Sequence, residues 1–204
     1  MSLPTQDQLQ LQLQLQLQLQ LQLQLQLRAH FERAGLHVEG VCDKLSSLGE
    51  HWRQTAALLE DLTPEESDTL GEMMPTLRAR AGQTVIEQGE VGDWMLLVLE
   101  GTVDVVKQSD SGVASRLAVV KAGASIGEMS MLDSAPRYAS CIAIEDVRAG
   151  ILTRQVITHL IQAHPAIGAK ILVKLTQLLA QRLRNTSNRL VKVLQHQEPD
   201  YTPD

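Results

Sequence analysis

The chain has 204 residues, 44% of them apolar and 21% charged, with a formal net charge of -6. That is about one globular domain, two at most, and the acidic balance opposes tight binding to a polyanion, which depends on clustered Lys and Arg. The aromatics Phe31, Trp52, Trp94, Tyr138 and Tyr201 are too few and scattered for a base-stacking platform.

Gln-Leu pairs run from Gln8 to Leu27. A period of two would put the leucines on one strand face, yet neither residue is a strong strand former, and as a helix the pattern scatters Leu around the axis. Residues 1–28 are therefore expected to be a low-complexity tract without regular structure, with a self-association tag as the alternative. Its amides could not be satisfied in lipid, and no positive charge precedes Arg28, so neither a membrane span nor a secretory signal is expected. A cytoplasmic address follows. Cys42 and Cys141 lie far apart with no C-x-x-C, which suggests buried thiols rather than a disulfide framework or a zinc site.

Residues 29–75 read as a helical segment, loosely so up to about Gln54. From Leu58 to Met74, Thr63, Pro64 and Glu66 supply an N-cap, an N1 proline and a capping-box partner. Between 76 and 155 the texture changes to β-prone runs: Thr84 to Gln88, Trp94 to Leu99, Thr102 to Lys107, Ser115 to Val120, Ala139 to Ile144 and Val147 to Thr153. Glycines separate them, as in an antiparallel barrel or sandwich. From 156 to 196 the helical period returns, broken at His164-Pro165 and then carried by Ile171, Leu175, Leu179, Leu183, Leu190 and Leu194; a polar tail, 197–204, follows. The fold class is mainly β with flanking helices, an antiparallel β-roll (a jelly-roll-like barrel) with N-terminal helices and a long C-terminal helix. Acidic residues dominate from Glu39 to Asp146. Arg154 to His196 instead holds Arg154, Lys170, Lys174, Arg182, Arg184, Arg189 and Lys192 with no acid.

The stretch Ile126-Gly127-Glu128-Met129-Ser130-Met131, followed by Pro136-Arg137-Tyr138-Ala139-Ser140, departs from plain barrel chemistry. A glycine lets backbone approach a ligand, the first amides of a short helix favour negative charge, and an Arg fork matches phosphate oxygens. Glu128 is then free to accept hydrogen bonds from hydroxyls.

These residues resemble the phosphate-binding cassette of the cyclic-nucleotide-binding domains found in bacterial catabolite activators, kinase regulatory subunits and gated channels, which reads F-G-E-[LI]-A-L and then P-R-x-A-[TS]. Arg137 stands nine residues beyond Glu128, as in the regulatory-subunit form. The resemblance extends upstream through Gly82, Gln88-Gly89-Glu90, Gly92-Asp93 and Gly101-Thr102-Val103, and covers roughly Leu58 to Val193. It implies that Glu128 binds the ribose 2′-hydroxyl, that Arg137 binds the exocyclic phosphate oxygens, and that amides from Gly127 through Met129 to Ser130 and at Tyr138, just past Pro136, complete the cradle. Ala180-Gln181-Arg182-Leu183-Arg184-Asn185-Thr186-Ser187 resembles the A-R-R-L-Q-V-T-S segment of the catabolite activators, which makes Thr186 and Ser187 candidates for an adenine lid shared across a dimer. Tyr138 departs from the family's small residue and is expected to fill part of the pocket or lie over the phosphate. In catabolite activators a helix-turn-helix domain follows this helix, whereas only a short polar stretch follows Leu194, so no DNA binding by the chain alone is expected.

Blander readings stand beside these. Arg137 could be a structural partner of Glu128 or Asp133, Thr186 and Ser187 could be solvated hydroxyls, and the basic run could be an ordinary wet face. No His lies between His51 and His159, so the barrel cannot supply the ligand set of a metal-dependent cupin, and no catalytic constellation or cofactor motif is found. The expectation is a sensor of a cyclic nucleotide, cyclic AMP first, signalling through its C-terminal helix to an effector protein or a second subunit. The alternatives are a non-binding scaffold with the same fold and a cyclic di-GMP sensor.

Overall fold

The computed structural model describes residues 6–42 and 44–197. Two antiparallel sheets form a β-roll. The larger has the order β1 (His37–Val41), β2 (Pro75–Ala79), β9 (Val147–Thr153), β4 (Trp94–Glu100), β7 (Ser125–Ile126), and the smaller the order β3 (Thr84–Ile86), β8 (Ser140–Ala143), β5 (Thr102–Gln108), β6 (Ala114–Lys121). The β-prone runs of the sequence correspond to β3, β4, β5, β6, β8 and β9.

Strand β4 explains how the roll joins its helices. Its apolar run is buried on both faces. Trp94, Leu96 and Val98 pack into the roll with Val85, Ile86, Val103, Ala143 and Ile151. Met95, Leu97 and Leu99 pack on the helical layer with Leu58, Leu70, Leu160, Ile171 and Leu175. A strand covered on both sides reads as a continuous apolar run rather than an alternation.

The helical layer consists of 3-10 turns at Leu45–Leu48 and Ala57–Leu59, α2 (Glu50–Thr55), α3 (Pro64–Gly71), α5 (Arg154–Ala163) and α6 (Pro165–Gln197). Helix α3 starts as its sequence predicts. Thr63 Oγ1 accepts from the Glu66 amide at 3.2 Å, and Glu66 Oε2 accepts from the Thr63 amide at 2.8 Å. Lys170 on α6 donates to both Glu66 oxygens, at 2.8 and 2.6 Å, so the same carboxylate ties α3 to α6. One turn on, Lys174 pairs with Glu60. The break between α5 and α6 falls at His164-Pro165, because the residue before a proline is pushed out of the helical region.

Two expectations for the N-terminal part change. The Gln-Leu tract, expected to lack regular structure, lies within one helix, α1 (Gln6–Arg33); Gln and Leu are both good helix formers. The helix crosses the boundary at residue 28 and reaches the roll, where Leu27 and the fully buried Phe31 join the interior cluster. Residues 37–41, expected to be loosely helical, are strand β1 on the sheet edge. Cys141 is buried and Cys42 half-buried. Among the described residues, no helix is long and apolar enough to cross a membrane. The tail 198–204 lies outside the described residues.

Candidate functional site

Strand β7 pairs with β4, placing Leu96 opposite Ile126 and Leu97 opposite Ser125. The chain then turns through Gly127, whose φ of 81° is the left-handed region where a side chain is strained, into the short helix α4 (Glu128–Asp133). Ser134, also left-handed, ends α4 with its amide donating to Ser130 O at 3.0 Å. Asp133 Oδ1 accepts from the Ala135 amide at 2.9 Å, and Arg154 Nε donates to Met131 O at 2.7 Å, securing the last turn. The returning chain is locked to the Gln88-Gly89-Glu90 turn: the Arg137 amide donates to Glu90 O at 2.8 Å, and the Gly89 amide donates to Arg137 O at 2.9 Å.

Arg137 is 3% exposed. Its Nη1 donates to Gly127 O at 2.6 Å and its Nη2 to Trp94 O at 2.8 Å, while the guanidinium carbon lies 4.1 Å from the centre of the Trp94 ring. Gly92 makes the fit possible: a Cβ there would stand 2.7 Å from Arg137 Nη2 and 2.9 Å from Trp94 Nε1. Burial pulls the guanidinium below its ordinary pKa, opposed by Glu90, Cys141, Asp93 and Glu128. Its nearest carboxylate is Glu90, with Oε1 3.8 Å from Nε. The bland pairing of Arg137 with Glu128 or Asp133 is not what forms.

Glu128 is 1% exposed and pairs instead with α6: Arg182 Nη1 donates to Glu128 Oε1, and Arg182 Nη2 donates to Ser125 O at 2.6 Å. Among the described residues, the buried side-chain polar atoms without a hydrogen bond are Glu128 Oε2 and Arg137 Nε. A buried acceptor and a buried cationic donor, each with one atom short of a partner, suit a ligand that carries a hydroxyl and an anionic oxygen. Buried polar atoms are seldom left this way.

Ser130 is buried, whereas Met129, Pro136 and Tyr138 are exposed. Tyr138 is 58% exposed; its ring lies beneath Lys107 Nζ, 4.2 Å from the ring centre, and the same Nζ donates to Tyr138 O at 2.8 Å. Thr186 and Ser187 are exposed on α6, one turn beyond Arg182. Arg182, Trp94 and Glu90 are contacts that sequence reasoning did not assign to the site, although Arg182 and Glu90 fall inside the matched segments. A surface cavity of about 590 Å³ bounded by Arg78, Arg80, Asp146 and Arg148 shares no residue with this site. No cluster of three metal-ligating side chains occurs among the described residues.

Comparison with known proteins agrees with this geometry. The family described as "Cyclic nucleotide-binding domain" matches residues 76–164. The chain is similar to the CRP-like cAMP-activated global transcriptional regulator of Mycobacterium tuberculosis, 27% identical over 139 residues, which is 68% of this chain and 60% of that protein. It is also similar to the cAMP-dependent protein kinase regulatory subunit of Aspergillus niger, 32% identical over 105 residues, covering 52% of this chain and 25% of the other. Among solved structures, a cyclic nucleotide-binding domain from Methylobacillus flagellatus superposes with a TM-score of 0.69 at 32% identity, over 82% of this chain and 92% of that one. The Thermus thermophilus catabolite activator protein gives a TM-score of 0.62 at 31% identity, over 67% of this chain and 62% of that one. The chain thus spans about 60% of the length of the bacterial regulators it matches.

Proposed function

Since the chain belongs to the cyclic nucleotide-binding domain family, we propose that it is a sensor whose ligand is a cyclic nucleotide, cyclic AMP first, working in the cytoplasm and acting by binding rather than catalysis. The observation that carries this reading is the pair of unsatisfied buried atoms, Glu128 Oε2 and Arg137 Nε, on the residue that follows Gly127 and on the arginine whose Nη1 donates to Gly127 O. Glu128 accepts from the ribose 2′-hydroxyl, Arg137 holds the exocyclic phosphate oxygens, and amides of Gly127, Met129, Ser130 and Tyr138 complete the cradle past Pro136. Thr186 and Ser187 cover the base. The cAMP-related names of the bacterial regulators and the kinase subunit support the choice of nucleotide.

The output runs through α6. Arg182 grips the carboxylate that the ribose uses, so a ligand that binds one position of α6 better than another shifts the helix. Leu183, Leu190, Val193 and Leu194 are exposed along the end of α6, a surface suited to a second copy or an effector protein.

The test is calorimetric titration of the full chain with cyclic AMP, cyclic GMP and cyclic di-GMP beside Arg137→Ala. Cyclic AMP is expected to bind at micromolar levels or tighter, and Arg137→Ala to weaken it by roughly 2 to 5 kcal/mol, the range for truncating one member of a buried charge pair. Silence from all three nucleotides in folded protein overturns the reading in favour of a non-binding scaffold; a response to cyclic di-GMP alone overturns the choice of ligand.

A further inference from the structure

The last turn of α1 reaches the buried arginine by two separate routes. In the first, Phe31 packs on Trp94 with ring centres 4.6 Å apart and an interplanar angle of 61°, and the Trp94 ring carries the Arg137 guanidinium. His30 lies against the same indole, ring centres 5.9 Å apart. In the second, Glu90 divides its carboxylate, with Oε2 3.6 Å from His30 Nε2 and Oε1 3.8 Å from Arg137 Nε. Phe31 and Trp94 are 1% and 3% exposed, so neither ring can turn without moving its neighbour. The stack is fixed at its far end too, since Trp94 O accepts from Arg137 Nη2 and Trp94 begins β4 opposite Thr153.

We propose that Trp94 is a positioning residue for nucleotide binding, and that Phe31 and His30 of α1, through the Trp94 ring and the Glu90 carboxylate, set the plane in which Arg137 meets the phosphate. The N-terminal helix is then part of the binding apparatus rather than an appendage to it. A flat guanidinium offers two parallel hydrogen bonds only when its plane is aligned with the anion, and an aromatic face restricts that plane as well as stabilising the cation. This inference rests on the reading that Arg137 holds the phosphate.

The test measures the cyclic AMP affinity of the full-length chain in the wild type, Trp94→Leu, Trp94→Phe, Phe31→Ala and the Phe31→Ala/Trp94→Leu pair, with a thermal melt of each. Trp94→Leu is expected to weaken binding about tenfold or more, and Trp94→Phe, which keeps an aromatic face, to restore most of it. Phe31→Ala is expected to weaken binding on its own but to add little once Trp94 is Leu, because residues acting through one shared contact are not additive. A structural role alone would lower the melting temperature while leaving affinity unchanged in protein that remains folded. Affinity unchanged in Trp94→Leu, or losses that simply add in the pair, overturns this inference and leaves the nucleotide reading standing. A folded wild type that binds no nucleotide overturns that reading instead, and this inference with it. Should Trp94→Leu not fold, Glu90→Gln tests the second route; an unchanged affinity there overturns the part given to Glu90 and His30.

Discussion

Arg182 on α6 and Glu128 on α4 are 54 positions apart in the chain and form the one ion pair joining the long helix to the cassette among the described residues. The carboxylate is buried and the guanidinium half-exposed. Arg182→Ala is expected to leave the Glu128 carboxylate without its cation and to destabilise the fold by about 1 to 3 kcal/mol, the cost of an unsatisfied buried polar group. Urea denaturation checks the magnitude, and faster amide exchange in α6 than in β4 checks that the helix is what has been released.

Gly92→Ala and Gly127→Ala both push on Arg137, by different means. At Gly92 the backbone is ordinary and the obstacle is space: a Cβ would stand 2.7 Å from Arg137 Nη2 and 2.9 Å from Trp94 Nε1, so the variant must displace two buried side chains and is expected to lose stability as well as affinity for cyclic nucleotide. At Gly127 the left-handed backbone adds strain of about 1 to 2 kcal/mol to the contact of a new Cβ with Ile86 and Arg137. Melting and titration of the two variants side by side are the check: affinity and stability should fall in both, with the added backbone strain making the loss of stability larger in Gly127→Ala.

The hydrogen bond from Lys170, aided by that from the Thr63 amide, holds the Glu66 carboxyl below its usual value of 4.5. A carboxylate whose folded value is depressed adds stability above its unfolded value, and that stability is lost as pH falls through the folded one. Lys170→Met is expected to flatten the dependence of stability on pH below about pH 4.5, the unperturbed carboxylate value. Denaturation midpoints from pH 6 downwards are the check.

Burial pushes the Cys141 thiol from 9.0 up to about 12, against the pull of Arg137. The folded state therefore favours the neutral thiol. Its contribution is whole below pH 9.0 and falls away as pH rises towards about 12. In a Cys42→Ser background a thiol reagent at pH 8 is expected to label Cys141 only on unfolding, and Cys141→Ala is expected to reduce the alkaline loss of stability. Rapid labelling of folded protein would contradict the burial.

The roll was legible wherever glycines bounded short apolar runs, as at Trp94 to Leu99 and Thr102 to Lys107, and the capping box at Thr63 announced α3. Strand β1 was not legible. His37-Val-Glu-Gly-Val is short, holds a glycine and leaves most of its side chains on the surface, so only its pairing with β2 makes it a strand. The Gln-Leu tract misled because alternation says nothing about secondary structure when both residues are good helix formers; helix α1 meets the core through Leu27 and Phe31 at its end. At the site, Gly127, Glu128 and Arg137 stood out because the chemistry is contiguous in sequence. Trp94 and Arg182 did not, since each reaches the cassette from another element and an aromatic at a strand start or a cation on a basic helix has an ordinary reading.

Helix α6 is 33 residues long, and its buried apolar anchors, Ile167, Ile171 and Leu175, lie in its first third, with the half-buried Leu178 one turn on. Arg182 sits near its midpoint. The helix runs on for about 15 residues, roughly 22 Å at 1.5 Å per residue, and touches the roll again where Arg189 Nη1 donates to Leu117 O at 3.5 Å. A rod packed at one end and held further out by polar side chains amplifies displacement once the Arg189 bond to Leu117 gives way: a tilt of about 10° at Arg182 carries the tip at Gln197 sideways by roughly 4 Å over that reach. An adjustment the size of one hydrogen bond at Glu128 thus becomes, at the far end, a displacement comparable to the width of a side chain.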